Sequence, residues 1–382
     1  MFTAPPQHSD ARSLWMFKKE ERLSLPVHRN QSLDVLRCAA VLLVLGHHFP
    51  YYRAWTQVGW AGVDLFFVLS GFLISGLLFR GFNSRGAIHF RNLCFRRGFK
   101  IWPAFYFFIA QVTIIFAFAR SEHPWRQVVV ASSFLSNYFP TPNLLLTHVW
   151  TLAVEDHFYI ALPLLLIMLT KLRRSHDPFN AIPVLFIVAS ALCLVFRWFC
   201  SPDRPAWATH MQMDSLFAGV FLGYLYNFRQ SSFEKLTGHR SLVLAVGFCL
   251  PAAFLNARSR MMQSFGLTAL FIGCAFLVAW SVGRTPMNVI GAAIAKMAAK
   301  GGFYSYSIYL WHTVVCERSL WKSSALAFWA YLVTAIAVGI AAATLIELPA
   351  LALREKSFPS DASVSSTIPE LDGTLAVSVP SA

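Results

Sequence analysis

Acid is what this chain has least of. Its 382 residues hold 18 Asp and Glu against 32 Lys and Arg, and charged residues of both signs make up only 13%. A soluble domain carries about 25%, so an ordinary water-facing globule is excluded. A cross-linked scaffold is excluded as well. The seven cysteines are an odd number, sit mostly inside apolar stretches, and show neither a disulfide framework nor metal-ligand spacing. No internal repeat of the transporter type is visible. No cleavable leader is expected, because residues 1–31 are polar and the first apolar run comes too late. The tail 355–382, rich in Ser, Thr and Pro, is expected to be disordered and is too short for a second catalytic domain.

Apolar residues, at 56%, are what the chain has instead. They fall into ten stretches: 33–49, 59–79, 101–119, 149–169, 181–199, 211–228, 242–256, 265–282, 303–316 and 325–348. Most match a hydrocarbon core about 30 Å thick. The 242–256 stretch is short, and 126–139 reads as interfacial. The expected fold is an all-α integral membrane bundle of about ten transmembrane helices, with a tail at 1–31 and a membrane domain at 32–354. Basic residues are retained on the cytoplasmic side. With the N-terminus inside, 22 of the 32 Lys and Arg lie in inner loops and tails and eight in outer loops. Both termini are therefore expected to be cytoplasmic. The net charge of +14 follows from this topology and from contact with anionic lipid heads, and it calls for no nucleic acid.

Several polar clusters interrupt the apolar pattern, and a charge embedded in lipid rarely lacks a partner or a task. The first stretch, SLDVLRCAAVLLVLGHHF, carries Asp34 and Arg37 at one end and His47-His48 at the other. Arg37 and His48 are almost three helical turns apart, on one face and about 16 Å from each other; His47 points roughly 80° away. A fixed cation below a titratable imidazole suits an elongated anionic substrate with its reacting end at the histidine. Asp64 opens the second stretch on the same side as His48, where it could orient or balance the imidazole. Gly59, Gly62, Gly71 and Gly76 read as helix packing positions. Before Pro103, Arg96, Arg97 and Lys100 form a basic inner loop suited to phosphate. Glu155 lies about two turns inside the fourth stretch, below His148 and Trp150. Asp214 marks the sixth, and Ser305, Tyr309 and His312 line one helical side of the ninth.

In this order, the pieces resemble the acyltransferase-3 family of bacterial multi-pass membrane proteins, which transfer acyl groups onto sugars and related hydroxyl compounds. The resemblance spans roughly 32–354. It rests on Leu33-Asp-x-Leu-Arg37 with His48 eleven residues on, Gly62-Val-Asp-Leu-Phe-Phe-Val-Leu-Ser-Gly-Phe72, and Arg96-Arg97-x-x-Lys100-Ile-x-Pro103. Trp150-Thr-Leu-x-Val-Glu155-Asp-x-Phe-Tyr159, Asp214, Ser305-Tyr-Ser-Ile-Tyr-Leu-Trp-His312 and Glu347-x-Pro349 complete it. It implies an acyl-CoA co-substrate from the cytoplasm, with no permanently bound cofactor. It implies an essential histidine at His48, its arginine at Arg37, and a donor clamp at Arg96, Arg97 and Lys100. Glu155 and Asp64 are the candidate supports of the imidazole. Asp34, Trp150, Tyr159, Asp214, Ser305, Tyr309 and His312 are the candidate substrate contacts. The acyl group is expected to be acetyl, the acceptor a glycan hydroxyl, and the location the bacterial inner membrane.

Some positions depart from the family pattern. Val35 and Cys38 replace glycines, His47 a tyrosine, Lys100 a third arginine, and Asp156-His157 a Glu-Gln pair. The arginine usual shortly before the Asp214 position is missing, a difference expected to bear on acceptor choice. The chemistry needs a base at the attacking oxygen and a stabilised oxyanion, and neutral imidazole suits the first role near pH 7. His48 can act as that base or carry the acyl group transiently. A transporter or flippase for an anionic lipid or glycan would also bury Arg37, Glu155 and Asp214, but it would not need acyl-CoA or His48. A non-catalytic scaffold would make no single polar residue critical. On the helical-face argument, His48→Ala abolishes ester formation in normally inserted protein while His47→Ala keeps substantial activity. An acyl-transfer assay that returned the opposite ranking would overturn that argument.

Overall fold

The computed structural model describes residues 30–118, 124–140, 143–173, 177–199, 206–282, 284, 289–316 and 324–357. The expected tails, 1–31 and 355–382, lie almost entirely outside them. Among the described residues the architecture is helical throughout. In chain order the helices are α1 (Gln31–His48), α2 (Arg53–Val58), α3 (Ala61–Arg85), α4 (Phe90–Phe118), α5 (Pro124–Ser132), α6 (Leu144–Thr147), α7 (Trp150–Leu172) and α8 (Ile182–Phe199). They continue with α9 (Thr209–Phe228), α10 (Gln230–Glu234), α11 (His239–Phe254), α12 (Leu267–Ser281), α13 (Val289–Phe303), α14 (Ser305–Val315), α15 (Ala325–Ala342) and α16 (Leu348–Ser357). A π-helical turn precedes α12 at Met262–Gly266, and another joins α15 to α16 at Ala343–Glu347.

Among the described residues, six helical stretches are long and apolar enough to cross a membrane: Ala61–Arg85, Phe90–Phe118, Leu144–Leu172, Ile182–Phe199, Met262–Ser281 and Ala325–Lys356. Their outward surfaces are apolar. Phe107, Ile114, Leu164, Ile187 and Val333 are exposed, an arrangement that water penalises and lipid accepts. The inward surfaces form three packed clusters, the largest centred on α3, α7, α9 and α12. This is a multi-pass membrane protein.

Two parts of the chain fold differently from expectation. The basic segment at Arg96–Lys100 is helical rather than a loop, because α4 runs unbroken through Pro103. A proline inside a membrane helix loses one backbone bond, and neighbouring helices can satisfy the freed carbonyl. Residues 289–302, expected within an inner loop, fold with Phe303 into α13, which packs along α1. At that seam a side chain on Gly302 would run into the Asp34 carbonyl, and Gly301 lies against the sulfur of Cys38. The glycines that α1 lacks at 35 and 38 are thus supplied by the helix opposite.

The tightest helix pair is α3 with α9. A Cβ on Gly71 would collide with the carbonyl of Leu216, and one on Gly219 with the carbonyl of Val68. Here the two backbones touch, as small residues permit in membranes. Gly76 differs, since a Cβ there meets only the flexible end of Arg80 on its own helix, 3.2 Å away. Gly219→Val should therefore destabilise the folded protein by about 1–3 kcal/mol, read as a lowered Tm in detergent. Gly76→Ala should leave Tm nearly unchanged; equal effects would refute the close-packed seam.

Candidate active site

A cleft of about 720 Å³ opens between α1, α3, α4, α7, α13 and α14. Its polar wall brings together Arg37, Arg97, Lys100, Glu155, Tyr159, Ser305 and Tyr309, seven residues singled out above from four separate stretches of chain. Ser70, Thr151 and Tyr306 join them. Phe66, Phe67, Ile101 and Phe303 close the apolar sides.

The charges in the cleft are held in place. Arg37 donates to Asp34 at 2.9 Å, so Asp34 acts here through the arginine. Glu155 accepts the Ser70 hydroxyl on one carboxylate oxygen at 2.7 Å and the Tyr159 hydroxyl on the other at 2.9 Å. The Arg97 guanidinium lies 4.7 Å from the centre of the Tyr159 ring, where a cation is attracted to the π-face. Lys100, one turn beyond Arg96 on α4, completes a cationic rim suited to phosphate oxygens. Arg96 itself does not line the cleft. It is tied at 3.2 Å to Glu355 on α16, which Arg354 also contacts at 2.9 Å.

From the cleft a stripe runs along α14. Ser305 and Tyr309 face the cleft, and His312, less than one further turn on, meets the His48 ring at 4.7 Å between centroids. The Tyr309 hydroxyl is fixed by Thr151 at 2.7 Å and by the His148 carbonyl at 2.9 Å. His48 ends α1. Its Nδ1 faces the Val44 carbonyl at 2.9 Å; a carbonyl only accepts, so Nδ1 carries the hydrogen and Nε2 is left as the basic nitrogen. His47 turns away, with Nδ1 2.7 Å from the Thr56 carbonyl.

Three other predicted residues lie elsewhere. Asp214 forms a buried two-pronged ion pair with Arg197, at 2.6 and 3.1 Å. Arg197 also donates to the Met211 carbonyl at 2.7 Å and to Thr268 at 2.9 Å. The arginine missing near Asp214 in sequence thus arrives from α8 in space. Asp64 is buried within electrostatic reach of this pair. Trp150 stacks on Trp207 at 5.5 Å and meets the Phe67 ring edge-on. Glu347 accepts from Ser307 at 2.7 Å. In sequence Ser70 is only one member of the Gly62–Phe72 motif, and nothing local ties it to a carboxylate 85 positions away.

A family described as an acyltransferase domain matches residues 30–348. The chain belongs to the acyltransferase-3 family. YrhL of Bacillus subtilis (strain 168) is 28% identical over 316 residues, covering 75% of this chain and 48% of that protein. The peptidoglycan O-acetyltransferase OatA of Listeria monocytogenes is 26% identical over 307 residues, 74% of this chain and 48% of its own length. The O-acetyltransferase OatA of Staphylococcus aureus (strain NCTC 8325 / PS 47) is 24% identical over 368 residues, 90% of this chain and 60% of that protein. The chain thus spans about half to three-fifths of the length of these relatives. No solved structure gives a significant match.

The two hydroxyls on Glu155 match an ionised carboxylate, which only accepts. Glu155→Gln turns one of those oxygens into a donor facing a hydroxyl and removes the negative charge from the cleft. Acyl transfer by the purified variant should fall about tenfold or more at unchanged Tm. Near-wild-type turnover would remove Glu155 from the working site.

Proposed function

We propose that this protein is a membrane O-acyltransferase that moves an acetyl group from acetyl-CoA to a hydroxyl of a cell-surface or lipid-linked glycan. The observation that carries the reading is the cationic cleft together with the row Ser305, Tyr309 and His312 on α14, which leads from that cleft to the ring of His48, itself outside the cleft lining. Phosphates of the donor bind at Arg37, Arg97 and Lys100, and the thin arm carrying the thioester extends toward His48. His48 Nε2 takes the proton of the acceptor hydroxyl as its oxygen attacks the thioester carbon, and the departing sulfur is reprotonated. Glu155 balances the cations without competing for the donor, because its oxygens are already occupied by Ser70 and Tyr159. The name of the Listeria relative, a peptidoglycan O-acetyltransferase, favours a peptidoglycan-type acceptor. The alternative role for His48, a transient acyl carrier, uses the same nitrogen.

The same reading gives ten spans with both termini cytoplasmic and the basic cleft at the inner face of the bacterial inner membrane. It is supported by the 22-to-8 distribution of basic residues; α1, α9, α11 and α14, which carry the other four expected spans, fall short of the six apolar helical stretches in length or composition. A transporter for an anionic glycan is the rival, and it predicts flux without acyl-CoA.

A phosphate clamp acts on the donor alone. Arg97→Ala should raise KM for acetyl-CoA by about fivefold or more and leave KM for the acceptor within twofold. Added salt should weaken donor binding to the wild type. Unchanged donor KM in correctly inserted Arg97→Ala protein would overturn the donor-site reading, and glycan flux independent of acetyl-CoA would favour the transporter.

A further inference from the structure

Three imidazoles meet where α1, α14 and the α6–α7 junction converge. The His48 and His312 rings are 4.7 Å apart between centroids, and the His312 and His148 rings 5.1 Å. His312 is fully buried and His148 is 2% exposed. Each ring spends one nitrogen on a backbone carbonyl: His48 Nδ1 on Val44, His148 Nε2 on Leu310 and His312 Nδ1 on Tyr309. Carbonyls only accept, so those nitrogens bear the hydrogens. A neutral imidazole has only one, which makes His48 Nε2, His148 Nδ1 and His312 Nε2 bare acceptors.

Among the described residues, His148 Nδ1 and His312 Nε2 are buried without a hydrogen-bond partner. Each such atom costs about 1–3 kcal/mol, and nearby hydroxyls offer no relief. Thr151 and Tyr309 are bonded to each other, and Tyr309 also to the His148 carbonyl. One added proton would change this balance, because a protonated ring nitrogen becomes the donor that a neighbouring bare nitrogen lacks. Among the described residues no group of His, Cys, Asp or Glu is set to hold a metal ion.

We infer that His312, backed by His148, is the proton partner of His48. The inference rests on the reading of His48 as base. As the acceptor oxygen bonds to the thioester carbon, its O–H bond breaks and the proton passes to His48 Nε2. That proton is held between His48 Nε2 and the bare Nε2 of His312. When the carbon–sulfur bond breaks, the pair releases the proton to the thiolate, giving ester and free CoA thiol. Nothing is oxidised or reduced and no other reactant enters. His312 lies outside the cleft lining and acts through His48, so it is a positioning residue that makes His48 a stronger base.

The test is His312→Asn. Its amide can keep the hydrogen bond to the Tyr309 carbonyl while Nε2 is lost, so a purely structural role predicts little change. The assay is release of CoA thiol from acetyl-CoA by the purified full chain, with muropeptides as acceptor. The expected result is a fall in kcat of at least about 30-fold, with KM for acetyl-CoA within twofold and Tm preserved. In His312→Ala, added imidazole should restore part of kcat, whereas thiazole, a ring of similar size and much weaker basicity, should not. Wild-type kcat in His312→Asn, equal rescue by thiazole, or loss of wild-type activity to a chelator would each overturn the inference. Failure of the underlying reading is distinguishable, since His48→Ala would then retain turnover.

Discussion

An ion placed in hydrocarbon must be compensated, and in this protein that requirement organises everything else. Arg197 and Asp214 neutralise each other in a fully buried two-pronged pair, and the two terminal guanidinium nitrogens donate further to a carbonyl and a threonine. Removing one partner of such a pair costs about 3–5 kcal/mol, because the other is left buried and charged. Asp34 does the same for Arg37 at the edge of the cleft. Glu155 is compensated by two hydroxyls and the nearby cations of Arg97 and Arg37. The Ser70–Glu155 and Arg197–Thr268 contacts join helices distant in sequence, so satisfying these ions also ties the bundle together.

Helical periodicity made much of this legible. The shared face of Arg37 and His48 needed only the pitch of one helix, and so did the stripe Ser305, Tyr309 and His312. The depth of Glu155 followed from counting turns into an apolar run. Pairings between helices were not legible, because no local pattern links Ser70 to Glu155 or Arg197 to Asp214. The same limit explains α13. Residues 289–303 carry two lysines and three glycines, and only the close approach of Gly301 and Gly302 to α1 shows why that pair stands there. The basic segment before Pro103 misled for a related reason. Proline normally marks a helix boundary in water, whereas buried in a bundle it is tolerated.

The three histidines show how a site can hold catalytic capacity in reserve. In the neutral state each ring is anchored by a backbone carbonyl, so the orientations are set before any substrate arrives. The unmet acceptors that result are an energetic cost of the resting protein. Such cost persists only where the surrounding packing over-determines it, and it concentrates where chemistry is performed.

Between the Arg37 guanidinium and the His48 imidazole, α1 runs as one continuous helix with no proline or glycine before Gly46. A rod of that kind neither stretches nor bends appreciably over three turns. It therefore works as a ruler: a molecule anchored by its anion at one end is measured by length at the other. Discrimination by reach is indifferent to the identity of the group delivered, which leaves that choice to whatever surrounds the far end of the gauge.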